Sequence, residues 1–156
     1  MKSETERLAA LSETVRASTL QRFRCVAPGD EAWRPAPDTL SFVDVVRHLC
    51  DADEWLFGML QGGRHRRPVI VPGEASAGEW EALLANLVET GKRRTNLLRS
   101  LSPTQLDRPI LDPEVCGPTD WWWLITRANF DHEIHHRGAV QLALRLRYGR
   151  EIQPRR

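Results

Sequence analysis

Several specialised classes are excluded by what the sequence lacks. Its three cysteines, Cys25, Cys50 and Cys116, are odd in number, widely spaced and in no CxxC pair, so neither a disulfide scaffold nor a zinc knuckle is expected. No apolar run approaches the ~18 residues of a membrane helix. The opening MKSETERLAALSETV mixes charges where a secretory signal carries an unbroken apolar core. Excess charge is missing too: 22 basic and 21 acidic residues leave a net charge of +1. That gives no general attraction to nucleic acid or to a membrane surface. The basic stretches, at 64–67 and after Arg137, are short and match no DNA-reading motif, so neither nucleic acid nor membrane is expected as a partner. Few cysteines without a pairing pattern fit reduced thiols and a cytoplasmic location, each cysteine serving as a small packing residue.

What is present is ordinary in amount and informative in pattern. The 156 residues, 41% hydrophobic and 28% charged, suit one compact domain with a real core. Residues 1–149 read as a single helical bundle domain, and 150–156 as a C-terminal tail that frays. Four long helical patterns are separated by segments rich in Pro and Gly. The first runs from about Ser3 to Arg24, with Leu8, Leu11, Val15 and Leu20 inside, and Pro28-Gly29-Asp30 end it. A linker follows that Trp33 should pin. The second opens on a capping-box spacing, Ser41 and Asp44. Its apolar face is Val45, Val46, Leu49, Leu56, Met59 and Leu60, and Gly62-Gly63 stop it. In the basic loop from Arg64 to Pro72, residues Val69, Ile70 and Val71 suit a short extended piece. Ser76 and Glu79 give the third helix the same cap, with Trp80, Leu83, Leu84, Leu87, Leu97, Leu98 and Leu101 facing inward. Ser102-Pro103 marks a short helical turn. The stretch 109–118 reads as a long loop bordering a cleft. The fourth helix begins near Thr119 or Asp120 and runs to Gly149, with Gly138 inside it to allow close packing. Amphipathic helices, short links and no strand set predict an all-α four-helix bundle.

Five histidines bring chemistry to this frame. His132 and His136 are i and i+4, one turn apart on one helix face, so their imidazoles can converge on one ion. His132 with His135 is the other chelating choice. The stripe Trp121, Ile125, Ala128, His132, His136, Ala139 and Ala143 favours His136 and predicts an inward direction. His48, on the second helix beside apolar residues, is the natural third ligand. Three neutral nitrogen donors with a vacant position describe a catalytic type of metal site. Asp44 and Asp51 are the nearby carboxylates able to accept from a ligand's other ring N–H, and Asp131 is spaced to pair with His135. Glu133 and Arg137 read as an exposed i,i+4 ion pair. His65 falls in the basic loop and reads as solvated. No second nucleophile or general base stands out, so catalytic residues beyond a metal site are unknown at this level.

The segment SFVDVVRHLCDADEW, with His48, is followed about eighty residues later by NFDHEIHHRGAVQ, with Arg137-Gly138 after the histidine pair. Together they resemble the DinB/YfiT-like superfamily over nearly the whole chain. The resemblance implies a DinB-like bundle of up-down-down-up topology, a homodimer, and a metal triad falling on His48, His132 and His136. It implies a divalent ion, zinc or nickel first, and a metal-dependent activity of thiol S-transferase or hydrolase type. Bacillithiol, mycothiol or glutathione and an electrophile are the substrates it suggests. Relatives often carry Gln directly after Arg-Gly, where this chain has Ala139 and places Gln141 two residues later. A metal-stabilised binding module or stress-response protein without turnover would use the same ligands. For substrate anions, Arg137 and the Arg64-Arg66-Arg67 loop are candidates, and the Trp121-Trp122-Trp123 run is a candidate pocket wall.

Overall fold

A computed structural model describes residues 2–63, 66–70, 72–73, 77–110 and 119–149. Helix α1 spans Glu4–Phe23, α2 Phe42–Leu60, α3 Ala77–Ser100 and the short α4 Pro103–Leu106. Two-residue strands follow, β1 at Pro109–Ile110 and β2 at Thr119–Asp120, paired antiparallel. The last long helix has three parts: α5 Trp121–Trp123, a π-helical stretch Leu124–Phe130, and α6 Asp131–Tyr148. His65, Cys116, the Ser76 cap, Val71, most of the 109–118 loop and the 150–156 tail lie outside the described residues.

The caps explain the helix starts. Ser3 and Glu6 form a capping box on α1, and Ser41 and Asp44 form one on α2. Asp120 caps α5 by accepting from the Trp123 amide at 2.7 Å. Gly149 closes α6 in the left-handed region at φ 67°, its N–H donating to the Arg145 carbonyl. In the first linker Trp33 stacks on Phe42, as expected of an aromatic pin.

Cross-helix pairs set the directions. Arg16 meets Thr90 while Arg99 meets Glu13, so α1 and α3 are antiparallel. Arg47 pairs with Glu79 and Arg93 with Glu54, so α2 and α3 run parallel. Glu133 meets Arg16, and Tyr148 receives a bond from the Ala27 amide, so α6 runs with α1. The order is up-down-down-up, and the fold is an all-α bundle of the expected kind. No described helix is long and apolar enough to cross a membrane.

Some expectations are corrected. The ends of the 109–118 loop are pinned by the β1–β2 ladder. The last helix is not continuous α, because the i→i+5 bonding of Leu124–Phe130 inserts extra residue per turn and shifts the inward stripe. Buried positions there are Trp121, Leu124, Ile125, Asn129, Phe130, Glu133, His136, Val140 and Leu144. Ala139 is exposed and Ala143 half-buried, so neither leads that stripe. Leu11 is exposed as well. Gly138 faces open space, with no atom of another described element near its missing Cβ, so it serves no close packing.

The apolar core comes in two halves. One gathers Leu8, Trp55, Leu56, Leu98, Trp121, Ile125 and Phe130; the other gathers Leu20, Phe23, Val46, Trp80, Leu87, Val140 and Leu144. Between these two groups every long helix contributes buried polar residues: Ser12 and Arg16, Asp53, Thr90 and Arg94, Glu133. The bundle therefore has a polar layer across its middle, and the histidines lie beside it.

Candidate metal centre

His48 comes from α2, and His132 and His136 come from successive turns of α6. Their Nε2 atoms converge: His48 to His132 is 2.8 Å and His136 to His132 is 3.0 Å. Ring centroids are 4.5–4.8 Å apart, each pair edge to face. His48 and His136 are buried and His132 half-buried. His135 is exposed and touches only the edge of the group, its ring 5.4 Å from that of His136. Of the sequence candidates, the structure thus brings together His48, His132 and His136.

Three imidazoles alone do not satisfy this arrangement. A neutral Nε2 either donates once or accepts once, so His132 can make a proper hydrogen bond with only one of its two neighbours. The other contact must share that single lone pair or proton, or set lone pair against lone pair or proton against proton. Nitrogens bound at ~2.0–2.1 Å to one tetrahedral ion stand roughly 3.3 Å apart, close to the spacing here. A single cation would relieve both contacts, and the donor set fits a divalent ion. Burial and then the neighbouring His132 push His48 down to about 4. Burial, His132 and His48 push His136 down to about 3. Burial, His135 and Arg67 lower His132 as well. Each imidazole therefore binds a proton less readily than a free one, which favours the neutral form and leaves lone pairs available. The Nδ1 atoms of His48 and His132 are buried without a hydrogen-bond partner among the described residues.

Neither carboxylate expected to serve those ring nitrogens does so. Asp44 accepts from the Ser41 and Gly73 amides at 2.9 Å each and lies 3.4 Å from Arg34. Asp51 is exposed. Asp131 pairs with Arg127 at 2.7 Å rather than with His135.

The largest departure from the sequence reading is Glu133. It is not an exposed partner of Arg137 but is 1% exposed within the polar layer. Arg16 grips it in a two-pronged contact, Nε and Nη2 each donating at 3.0 Å, while Nη2 also reaches Asp53 at 2.6 Å. Arg94 donates to Asp53, Asn129 and Glu133 through Nη1, and to Ser12 through Nε. Two cations face two anions with nearly every donor used, which is the condition for burying charge at tolerable cost. Burial alone would raise Asp53 and Glu133, but Arg94 and Arg16 outweigh it and hold both below the usual carboxylate range. Burial also opposes the Arg16 charge, and Asp53 and Glu133 overcome it. Because Glu133 neighbours His132 in sequence, this clamp fixes the rotation of α6 and so the aim of both its ligands. The signal in the sequence was an acid amid the histidine motif together with Arg16 and Arg94 on apolar helix faces.

The remaining surroundings are less reactive. Burial pushes the Cys50 thiol up to about 12, which suits packing and not nucleophilic attack. Trp121 is buried in the core and Trp122 lies at the surface, so the tryptophan run divides between packing and exposure.

A family model described as the DinB superfamily matches residues 11–140. Among solved structures, the chain is similar to a DinB-like protein, YjoA, from Bacillus subtilis. Identity is 17% and the TM-score 0.68, with 96% of each chain covered. A search of curated proteins gives no significant match.

Proposed function

Since this chain belongs to the DinB superfamily, we propose that His48, His132 and His136 hold a divalent metal ion, zinc or nickel, and that the protein is a metal-dependent enzyme of thiol S-transferase or hydrolase type. One observation carries the reading: three imidazoles, two buried and one half-buried, whose Nε2 atoms meet at hydrogen-bond distance without all being able to satisfy one another. When bound, such an ion supplies Lewis acidity, lowering the pKa of a thiol or water so that a nucleophile exists at neutral pH. The chain's own residues do the rest. α2 and α6 present the ligands from two sides, the Arg16–Glu133–Arg94 clamp keeps α6 from turning, and burial keeps the imidazoles unprotonated.

Elemental analysis of tag-free protein equilibrated with zinc or nickel tests the reading. The expected result is about one ion per chain, lost in His136→Ala while the helical circular dichroism persists. Wild-type protein that stays empty in both metals would leave the three histidines as packing residues. The loaded protein is then assayed with bacillithiol, mycothiol or glutathione and an alkylating electrophile. Metal-dependent thiol consumption is expected with one of them, and none with all three would remove the transferase form of the proposal.

A further inference from the structure

A cavity of about 270 Å³ lies in the groove between the start of α2 and the end of α6. The two helices fix its place relative to the three histidines. Val45 and Ser41 line it, three and seven residues before His48. Ala139, Ala143 and Leu146 line it too, three, seven and ten residues after His136. Steps of three and four stay on one helix face, so histidines and cavity share a stripe on each helix. Because α2 and α6 run in opposite directions, stepping back from His48 and forward from His136 leads the same way. The cavity therefore opens one turn, ~5.4 Å, beyond the ligand-bearing turns of both helices.

Its wall is almost all carbon. Pro35, Leu40 and Val45 contribute from one side of the chain, the two alanines and Leu146 from the other, and no charged side chain among the described residues lines it. The two hydroxyls there are engaged locally. Thr39 Oγ1 accepts from the Ala36 amide and donates to the Ala36 carbonyl, and Ser41 Oγ accepts from the Asp44 amide. A polar group placed in this cavity would lose water and find no charged partner, whereas hydrocarbon would gain by burial. Leu142 and Leu146 are each more than half exposed at its rim, so its apolar wall is open to an incoming molecule. The lining from Ala139 to Leu146 runs ~10 Å along α6, the length of an extended chain of about six to eight carbons.

We propose that this cavity is an apolar subsite of the three-histidine centre, so that the molecule bound there carries a neutral alkyl chain beyond its reactive atom. The inference rests on the metal reading above and deepens it by naming the part of the substrate that the metal does not touch.

Cobalt(II)-loaded protein provides the test, because thiolate binding to cobalt gives a charge-transfer absorption that needs no turnover. Ethanethiol, butanethiol and hexanethiol are titrated into wild type, Ala139→Leu and Ala143→Leu at equal cobalt occupancy. Ala139 is exposed, so the first variant keeps the test usable if the second disturbs folding. In wild type hexanethiol is expected to bind at least about tenfold more tightly than ethanethiol, a gain of about two- to threefold per methylene. A leucine filling the groove should cut that ratio to about threefold or less. Equal affinities along the wild-type series, or a chain-length gain that survives both substitutions, overturn the proposal. A second copy of the chain covering the groove would show instead as a dimer in sedimentation that Leu146→Gln dissociates, with no chain-length gain, and overturns it as well. Protein that takes up no cobalt, or shows no band with any thiol, fails one level earlier, at the metal site itself, and the present inference falls with it.

Discussion

Gly91 and Gly138 both lie inside helices, but their surroundings differ. A Cβ on Gly91 would stand 2.8 Å from Cγ of Arg16, the stem of a side chain held at its far end by Asp53 and Glu133. The stem cannot swing away without breaking those bonds, so Gly91→Ala is expected to destabilise by about 1–3 kcal/mol despite the better helix propensity of alanine. Gly138 has open space where its Cβ would be. There the propensity gain is unopposed, and Gly138→Ala should stabilise by about 0.5–1 kcal/mol. Urea unfolding of the two variants reads both signs, and a stabilised Gly91→Ala would show that Arg16 is not held as described. At this same scale the histidines were legible and Glu133 was not. An i,i+4 pair is a local statement about helix geometry, complete within five residues. The partners of Glu133 are Arg16 and Arg94, 117 and 39 positions away, and no local spacing announces them.

The elements follow the same division between local and distant causes. Helix starts were readable because Ser41 and Asp44 satisfy one another's backbone within a single turn. The π-helical stretch was not, because it reflects a mismatch between two stripes. Trp121 to Ile125 packs one half of the core, Glu133 to Leu144 faces the polar layer and the other half, and the helix between them must change phase. Asp44 belongs to both kinds. It closes its own cap, and it also accepts from the Gly73 amide, 29 residues on, which ties the segment after α2 to the start of that helix. Burial would raise its pKa, yet Ser41, Gly73 and Arg34 together hold it low. Asp44→Ala removes the cap bond and leaves the buried Ser41 amide without its partner. The expected cost is about 1–3 kcal/mol by urea unfolding, with helical content at low urea retained. A cost below about 0.5 kcal/mol would mean that the tether contributes nothing beyond an exposed cap.

For the molecule as a whole, the apolar stripes were enough to foresee a four-helix bundle, and the resemblance foresaw its topology. What they left out was the polar layer that crosses the core and joins α1, α2, α3 and α6 through one set of ion pairs. Because that layer touches every long helix, metal-free protein should unfold in one transition. Its acid sensitivity has a definite sign. His48 and His136 sit at about 4 and about 3 when folded, against 6.5 for a free imidazole. Asp53 and Glu133 are likewise held below 3.8 and 4.5. Every one of these groups binds a proton less readily folded than unfolded, so acidification favours the unfolded chain. The imidazole contribution is complete above pH 6.5 and is lost as the pH falls toward about 4 and about 3. The carboxylate contribution is complete above the ordinary carboxylate range and is lost below it. Calorimetry on metal-free protein from pH 8 down to pH 3 should therefore give a flat melting temperature at first. A decline should begin near pH 6.5 and steepen below about pH 4.5, with Asp53→Asn reducing the lower, steeper part. A melting temperature that rises between pH 6.5 and pH 4.5 would require histidines that are charged and paired in the fold. That would contradict three neutral imidazoles turned toward a common point.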